Sequence, residues 1–275
     1  MVLFNRSHVL ESLYESETRL TARAYIQKIS LGLSIPLIQA KKILKALVDE
    51  GELTYQDLYG GTYVAQSFLK PVRVSPHFFL TPPGIKSVGR PQDMDILIHP
   101  GIAFGSGHHP TTRLSLEAID LLFFERPEIN FNRTLEGVDL GTGSGVLAIA
   151  MCLAGLGRCR AFDIDPMAVA EARLNVVVNH LAHRIQVIED YMGMGETGFS
   201  IICANLRFPT LIQISSLIKS SLCPQGMIIL SGVRQWEKCE LISHYRELGF
   251  SLVWDKDEKN WSALIMQVMQ VMPRS

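Results

Sequence analysis

The sequence predicts a doubly wound, Rossmann-like α/β sheet preceded by a small helical domain. Three observations predict it. From Thr134 onward, short apolar runs alternate with helical stretches, the pattern of a parallel sheet covered by helices on both faces. Residues 134–145 read TLEGVDLGTGSG, a strand running into a glycine-rich turn. The first 70 residues differ, with three helical stretches followed by a hairpin pattern.

In the N-terminal domain, assigned to residues 1–70, helices are expected at Ser7–Glu15, Thr21–Ser30 and Ser34–Glu50. Thr21 and Ser34 are placed to cap the second and third. Ile35, Ile38, Ile43, Leu44 and Leu47 recur close to a 3.6-residue period, and Gly51 ends the third helix. Glu52–Tyr55 and Thr62–Ala65 flank Gly60-Gly61 as a short hairpin. Three helices and a hairpin make a winged-helix-like unit. Residues 71–98 are rich in proline and are assigned as an extended connector with strand pieces such as Asp95–His99. Residues 99–275 form the α/β domain. Its strands are expected at Thr134–Leu140, Arg160–Ile164, Ile185–Glu189, Ser200–Ala204, Met227–Ser231, Phe250–Trp254 and Ala263–Val268. Helices fall at Thr112–Phe124, Gly145–Leu156, Pro166–His180, Thr210–Ser220 and Arg234–Leu248. Only Asp255–Trp261 joins the last two strands, too short for a helical crossover, so the seventh strand is expected to be antiparallel.

Bulk composition narrows the function classes. Of 275 residues, 47% are hydrophobic and 19% charged, with net charge −1. Such a chain has material for a core and no global field to steer it to nucleic acid or an anionic membrane. No run of 18 apolar residues occurs, and the N-terminus lacks the apolar stretch of a signal peptide. The five cysteines are scattered without a CxxC pair, as expected of reduced thiols in a cytoplasmic protein rather than a zinc site or disulfide framework. No metal is expected.

The chemistry is concentrated at strand ends. After Asp139 come Gly141, Gly143 and Gly145, where backbone N–H groups at a helix N-terminus can approach a ligand closely. A dinucleotide fingerprint, G-x-G-x-x-G, requires glycine at 146, where the chain has Val146. This disfavours an NAD-linked oxidoreductase. The G-x-G-x-G spacing instead resembles the first motif of class I methyltransferases, which bind S-adenosylmethionine. RAFDIDP follows, with Asp163 22 residues after Gly141, placed to accept hydrogen bonds from ribose hydroxyls. Asp165 is expected to cap the helix that Pro166 opens. VIEDYM puts Asp190 near the expected adenine, although acids end many strands. IICANLRFPTL puts Asn205 at the carboxyl edge of the sheet, where its amide could orient an attacking amine or simply cap a turn. GIAFGSGHHPTT (101–112) reads as a loop closing over the cofactor. His108 or His109 could act there as a base. Adjacent histidines converge poorly on one ion, which argues against a metal at His99, His108 and His109.

Taken together, HPGIAFGSGHHPTT, VDLGTGSGVLAIA, FDIDPMAVAEARLN, CANLRFPTL, the SGV after the fifth strand and the segment around Trp261 resemble the PrmA family, the methyltransferases of ribosomal protein L11, over about residues 71–268. The resemblance implies S-adenosylmethionine as cofactor, contacted by Thr112, Gly141, Asp163 and Asn205, and in-line methyl transfer to amines of a protein. Two departures stand out. Ser106 replaces the family's usual threonine, and residues 1–70 look winged-helix where the ribosomal enzyme carries an α/β recognition domain.

A protein substrate is therefore the expected partner, and no membrane. The alternative is methylation of RNA, DNA or a small molecule, with the N-terminal domain binding nucleic acid or a partner. Lys41, Lys42 and Lys45 share the third helix, but residues 1–70 balance eight Lys or Arg against seven Asp or Glu, where a DNA reader shows a basic excess. Asn205-Leu206 also lacks the Asp/Asn-Pro-Pro-Tyr signature of many amide and adenine-N6 methylases.

Overall fold

The computed structural model describes residues 6–14, 16, 20–58, 61–67, 69–85, 89–99, 109–126 and 134–269. The chain divides into two compact units, Met1–Lys70 and Pro71–Ser275.

The first unit comprises α1 (Arg6–Tyr14), α2 (Ala22–Leu33), α3 (Leu37–Asp49), β1 (Leu53–Leu58) and β2 (Gly61–Gln66), the strands pairing antiparallel. Thr21 caps α2, its hydroxyl accepting from the Ala24 N–H at 3.2 Å. Ser34 does not cap α3. It ends α2 in the left-handed conformation, φ 50°, and Pro36 occupies the N-cap of α3 with no side-chain bond. Ser30 explains the difference: its carbonyl accepts from Ile35 N–H and its hydroxyl donates to Ile35 O, closing the turn two residues before the helix begins. The buried stripe of α3 is Ala40, Ile43, Leu44 and Leu47, packed with Tyr25, Ile29, Leu53 and Val64. Ile38, expected on that stripe, is exposed.

The second unit opens with β3 (Val72–Arg73), β4 (Phe78–Thr81) and β5 (Met94–Leu97). The stretch expected as an extended connector thus carries a three-stranded sheet, β3 antiparallel and β5 parallel to β4. This sheet is tied down at two points. Asp120 accepts from Ser75 Oγ, from His77 N–H at 2.8 Å and from His77 Nδ1 at 2.8 Å. Asn179 accepts from Leu97 N–H at 2.9 Å and donates back to Leu97 O at 2.7 Å.

There follow α4 (Pro110–Asp120), a π-helical turn (Leu121–Glu125), β6 (Glu136–Leu140), α5 (Val146–Ala154), β7 (Arg158–Asp163), α6 (Pro166–Val178), β8 (Ile185–Glu189), β9 (Phe199–Asn205), α7 (Phe208–Gln213), α8 (Ser215–Ser221), β10 (Leu222–Arg234), α9 (Lys238–Glu247), β11 (Phe250–Glu258) and β12 (Trp261–Val268). The sheet order is β11-β12-β10-β9-β6-β7-β8. β8, β7, β6, β9 and β10 are parallel, and β12 runs antiparallel between β10 and β11. Val138, Ile202, Ile228, Leu230 and Leu264 belong to one buried core cluster. The expected helix over 210–220 is two short ones, because Ser215 Oγ donates to Ile212 O and the chain leaves helical geometry at Ile214. Among the described residues, no helix is long and apolar enough to cross a membrane.

Strand order reverses at β6: the chain moves from β6 to β7 on one side and later returns to β9 on the other. Ligands of open α/β sheets bind at the carboxyl ends of strands at such a switch point. Asn175 of α6, fully buried, spans this region. It accepts from His99 N–H at 3.0 Å and donates to Ser144 O at 2.9 Å, joining residue 99 to the glycine turn. Asn175→Ala leaves both groups unpaired in the interior, so a loss of about 2–4 kcal/mol is expected. Urea unfolding of variant and wild type measures it.

Candidate active site at the carboxyl edge of the sheet

The glycine turn between β6 and α5 is folded over a buried carboxylate. Asp139 is 0% exposed, and its Oδ2 accepts from Thr142 Oγ1 at 2.6 Å and from Ala148 N–H at 3.2 Å. Gly141, Gly143 and Gly145 all have positive φ (67°, 55° and 83°), a region that side chains with a Cβ rarely enter. At Gly141 there is a further reason for glycine, since a Cβ would lie 2.5 Å from Leu206 Cδ2.

The register brings the other strand ends alongside. Leu140 pairs with Phe162 on one side and Ala204 on the other, so Gly141 sits between Asp163 and Asn205. Asp163 Oδ2 accepts from Gly143 N–H at 2.8 Å, and Oδ1 from Asp165 N–H at 3.0 Å. The carboxylate thus braces the glycine turn while remaining half-buried, with lone pairs left for a ligand's hydroxyls. Asp165 caps α6 through Met167 N–H at 2.9 Å. Asn205 is in register with Ser231, whose Oγ lies 3.1 Å from Ser262 O and 3.4 Å from Thr111 O. This sets the first turn of α4, and with it the buried Thr112, beside the ends of β9 and β10.

Four buried side-chain atoms here lack a hydrogen-bond partner among the described residues: Thr112 Oγ1, Asp139 Oδ1, Ser144 Oγ and Asn205 Oδ1. Buried polar atoms are nearly always paired, and each orphan carries a desolvation cost. Two are carbonyl-type acceptors and two are hydroxyls. This set fits a ligand carrying an ammonium, hydroxyls and a carboxylate.

The remaining sequence candidates are placed differently. Asp190 lies exposed just beyond β8, two strands from β6, its Oδ1 accepting from Tyr191 N–H at 2.7 Å as in a turn. His109 caps α4: its Nδ1 accepts from Thr111 N–H at 3.3 Å, and its ring meets Trp261 edge-on at 4.6 Å. That geometry commits Nδ1 to the helix start. His108 and most of the 101–112 loop, including Ser106, fall outside the described residues. Cys152, Cys159 and Cys203 are buried free thiols, and burial pushes Cys152 up to about 12. Ser144 and Asn175 escaped sequence reasoning. A polar residue on an otherwise apolar helix face was the available signal for Asn175.

The model of one protein family, "Ribosomal protein L11 methyltransferase (PrmA)", matches residues 8–269. The chain belongs to this family. It is a methyltransferase whose methyl donor is S-adenosylmethionine, as its motifs implied. A ribosomal protein L11 methyltransferase of Carboxydothermus hydrogenoformans is 32% identical over 260 residues, covering 93% of this chain and 81% of the relative. One from Heliobacterium modesticaldum is 32% identical over 202 residues, covering 73% of this chain and 61% of that protein. A crystal structure of ribosomal protein L11 methylase from Lactobacillus delbrueckii subsp. bulgaricus is similar at TM-score 0.63 and 25% identity, covering 73% of this chain and 100% of that one.

S-Adenosylmethionine offers the functional groups that the orphaned atoms lack, so the residues present fit it. Burial raises the Asp139 carboxyl from 3.8 to about 6, against the opposing hydrogen bonds from Thr142 and Ala148. A carboxyl with a raised folded-state pKa contributes its full stability below its unfolded pKa and loses it as pH rises through the folded one. The unliganded protein should therefore lose about 3 kcal/mol from this group between pH 4 and 7. Asp139→Asn should lack that component, which urea unfolding at several pH values would detect. A wild-type profile that the substitution leaves unchanged would contradict the assignment. Asp163→Ala should weaken S-adenosylmethionine binding by about 1–3 kcal/mol, measured by calorimetry.

Proposed function

We propose that this methyltransferase modifies amines of a protein, a ribosomal protein of the L11 type, in the cytoplasm. The orphaned Asn205 Oδ1 carries this reading. An amine nucleophile has N–H groups to donate and a lone pair to aim, and an acceptor at the carboxyl edge of β9 can satisfy the first while orienting the second. The names of the relatives supply the class of acceptor.

In this reading Asp139, Ser144 and Thr112 would hold the amino-acid part of the donor, the side-chain-free turn of Gly141 and Gly143 would let it approach closely, and Asp163 would take the ribose hydroxyls. Asp190, exposed just beyond β8, would lie on the side toward the adenine. When bound, the sulfonium supplies an electrophilic methyl carbon. Asn205 accepts a hydrogen bond from the neutral acceptor amine and aligns its lone pair with that carbon. The methylated nitrogen would then be an ammonium, whose proton the solvent-facing edge of the sheet lets pass to water. No strong base is needed, only placement and a deprotonated amine. Residues 71–98 belong with the catalytic domain, and residues 1–70 form a separate winged-helix-like recognition unit.

Incubation with S-adenosylmethionine labelled at the methyl group, purified L11 and intact ribosomes, followed by peptide mapping, should put label on lysine or N-terminal amines of the protein. Label confined to RNA or small molecules would refute the protein acceptor. Asn205→Ala should lower kcat about 100-fold through lost alignment, more than it weakens donor binding, as steady-state kinetics and calorimetry together resolve.

A further inference from the structure

The first unit presents a surface that methyl transfer does not use. Leu31 near the end of α2 is 81% exposed, and Leu37 and Ile38 at the start of α3 are 54% and 72% exposed. Bulky apolar side chains grouped at one corner and rimmed by polar residues mark interaction sites. Here the rim is cationic. Lys41, Lys42 and Lys45 are exposed and share with Leu37 and Ile38 the solvent face of α3, three to four residues apart.

None of the three lysines forms an ion pair with an acid among the described residues. Of the acids that follow on the chain, Glu50 pairs with Arg6 at 2.8 Å, and Glu52 with Arg6 at 2.8 Å and Lys70 at 2.9 Å; Asp49, exposed one turn beyond Lys45, is the one carboxylate at the far end of the lysine stretch. The near-neutral balance of residues 1–70 thus conceals a basic stretch on α3, Lys41 to Lys45, that Asp49 closes at its far end. Ala40, Ile43, Leu44 and Leu47 fill the core, so nothing inside the unit requires Ile38 and Leu37 to be apolar.

We infer that this face of α3, with Leu31, docks an acidic amphipathic helix of a partner protein. Carboxylates of the partner would meet Lys41, Lys42 and Lys45, and its apolar stripe would cover Leu31, Leu37 and Ile38. Charge complementarity selects an acidic occupant. The leading residues of α3 select protein over nucleic acid. Where a recognition helix meets base edges it needs donors and acceptors, and Leu37 and Ile38 have none. The inference does not depend on which amine is methylated.

The test uses the full-length chain and a synthetic amphipathic peptide of about six helical turns, with glutamates flanking a leucine and phenylalanine stripe. Its lysine-for-glutamate counterpart, a DNA duplex and an RNA hairpin serve as competing probes. Saturable binding of the acidic peptide is expected, weakening with salt and falling about tenfold both in Ile38→Asp and in the triple Lys41→Glu, Lys42→Glu, Lys45→Glu variant. The counterpart peptide should not bind. Melting followed by circular dichroism verifies that the variants, all at exposed positions, remain folded. Absence of saturable binding, or binding indifferent to Ile38→Asp, would overturn the inference. So would an oligonucleotide that binds through the lysines but ignores Ile38→Asp, because that pattern describes a phosphate-binding face.

Discussion

The site depends on one buried carboxylate. Asp139 is enclosed at the end of β6 and holds the glycine turn shut from beneath, with Thr142 and Ala148 bonded to one of its oxygens. The turn can adopt three positive-φ glycines within five residues because this acceptor anchors the turn and the first helical turn after it. Asp163 completes the brace from the neighbouring strand by accepting from Gly143 N–H. Two carboxylates so near each other raise the cost of ionising Asp139, an effect added to the larger one of burial. The arrangement is therefore poised for a cation. The oxygen that Asp139 leaves unpaired can take an ammonium, and doing so relieves a cost the unliganded fold already carries.

Strand order determines which other groups reach this point. The reversal at β6 sets the ends of β7 and β9 on either side of the glycine turn, so residues 163 and 205, far apart in sequence, flank the same crevice. α4 reaches it by another route. Its first turn is placed by Ser231, a β10 residue in register with Asn205, and by the His109 cap packed on Trp261. Arg234 lies 3.7 Å over the same Trp261 ring, a cation–π contact that stiffens the platform beneath that cap. The 71–98 stretch contributes by anchoring. Asn175 on α6 and Asn179 at its C-cap hold His99 and Leu97, which fixes the end of β5 against that helix.

Much of this could be read from the sequence, for identifiable reasons. Glycines with forced φ, a proline at the first turn of α6 and Asp165 as its cap are local rules, and local rules survive into the fold. Ser34 and Ile38 were misplaced because two short-range signals compete there. A serine before a helical pattern resembles an N-cap, yet the Ser30–Ile35 bonds make it the end of the preceding helix. An isoleucine near the helical period resembles core, yet the smaller Ala40 fills that position and Ile38 faces solvent. Asn175, Asn179 and Asp120 were not legible as ties, because the segments they tie, at His77, Leu97, His99 and Ser144, are at least 31 residues away along the chain. Such long-range bonds leave no periodic trace.

Leu206 shows how the site's geometry is held by packing as well as by polar contacts. Gly141 was identified as a point of close ligand approach, and Gly232 only as part of a motif after the fifth strand. Both pack against Leu206. A Cβ at Gly141 would come within 2.5 Å of its side chain, and one at Gly232 within 2.3 Å of its carbonyl oxygen. Leu206 N–H in turn donates to Ser231 O at 3.0 Å. The residue after Asn205 is thus clamped from two sides and tied to β10, which leaves the Asn205 backbone little freedom at the carboxyl edge. An acceptor meant to align a lone pair loses its effect with a displacement of about 1 Å. In the proposed reading the two glycines serve the placement of Asn205 through Leu206 as well as ligand approach, and a pattern that looks like a binding motif is in part a packing constraint on the residue beside it.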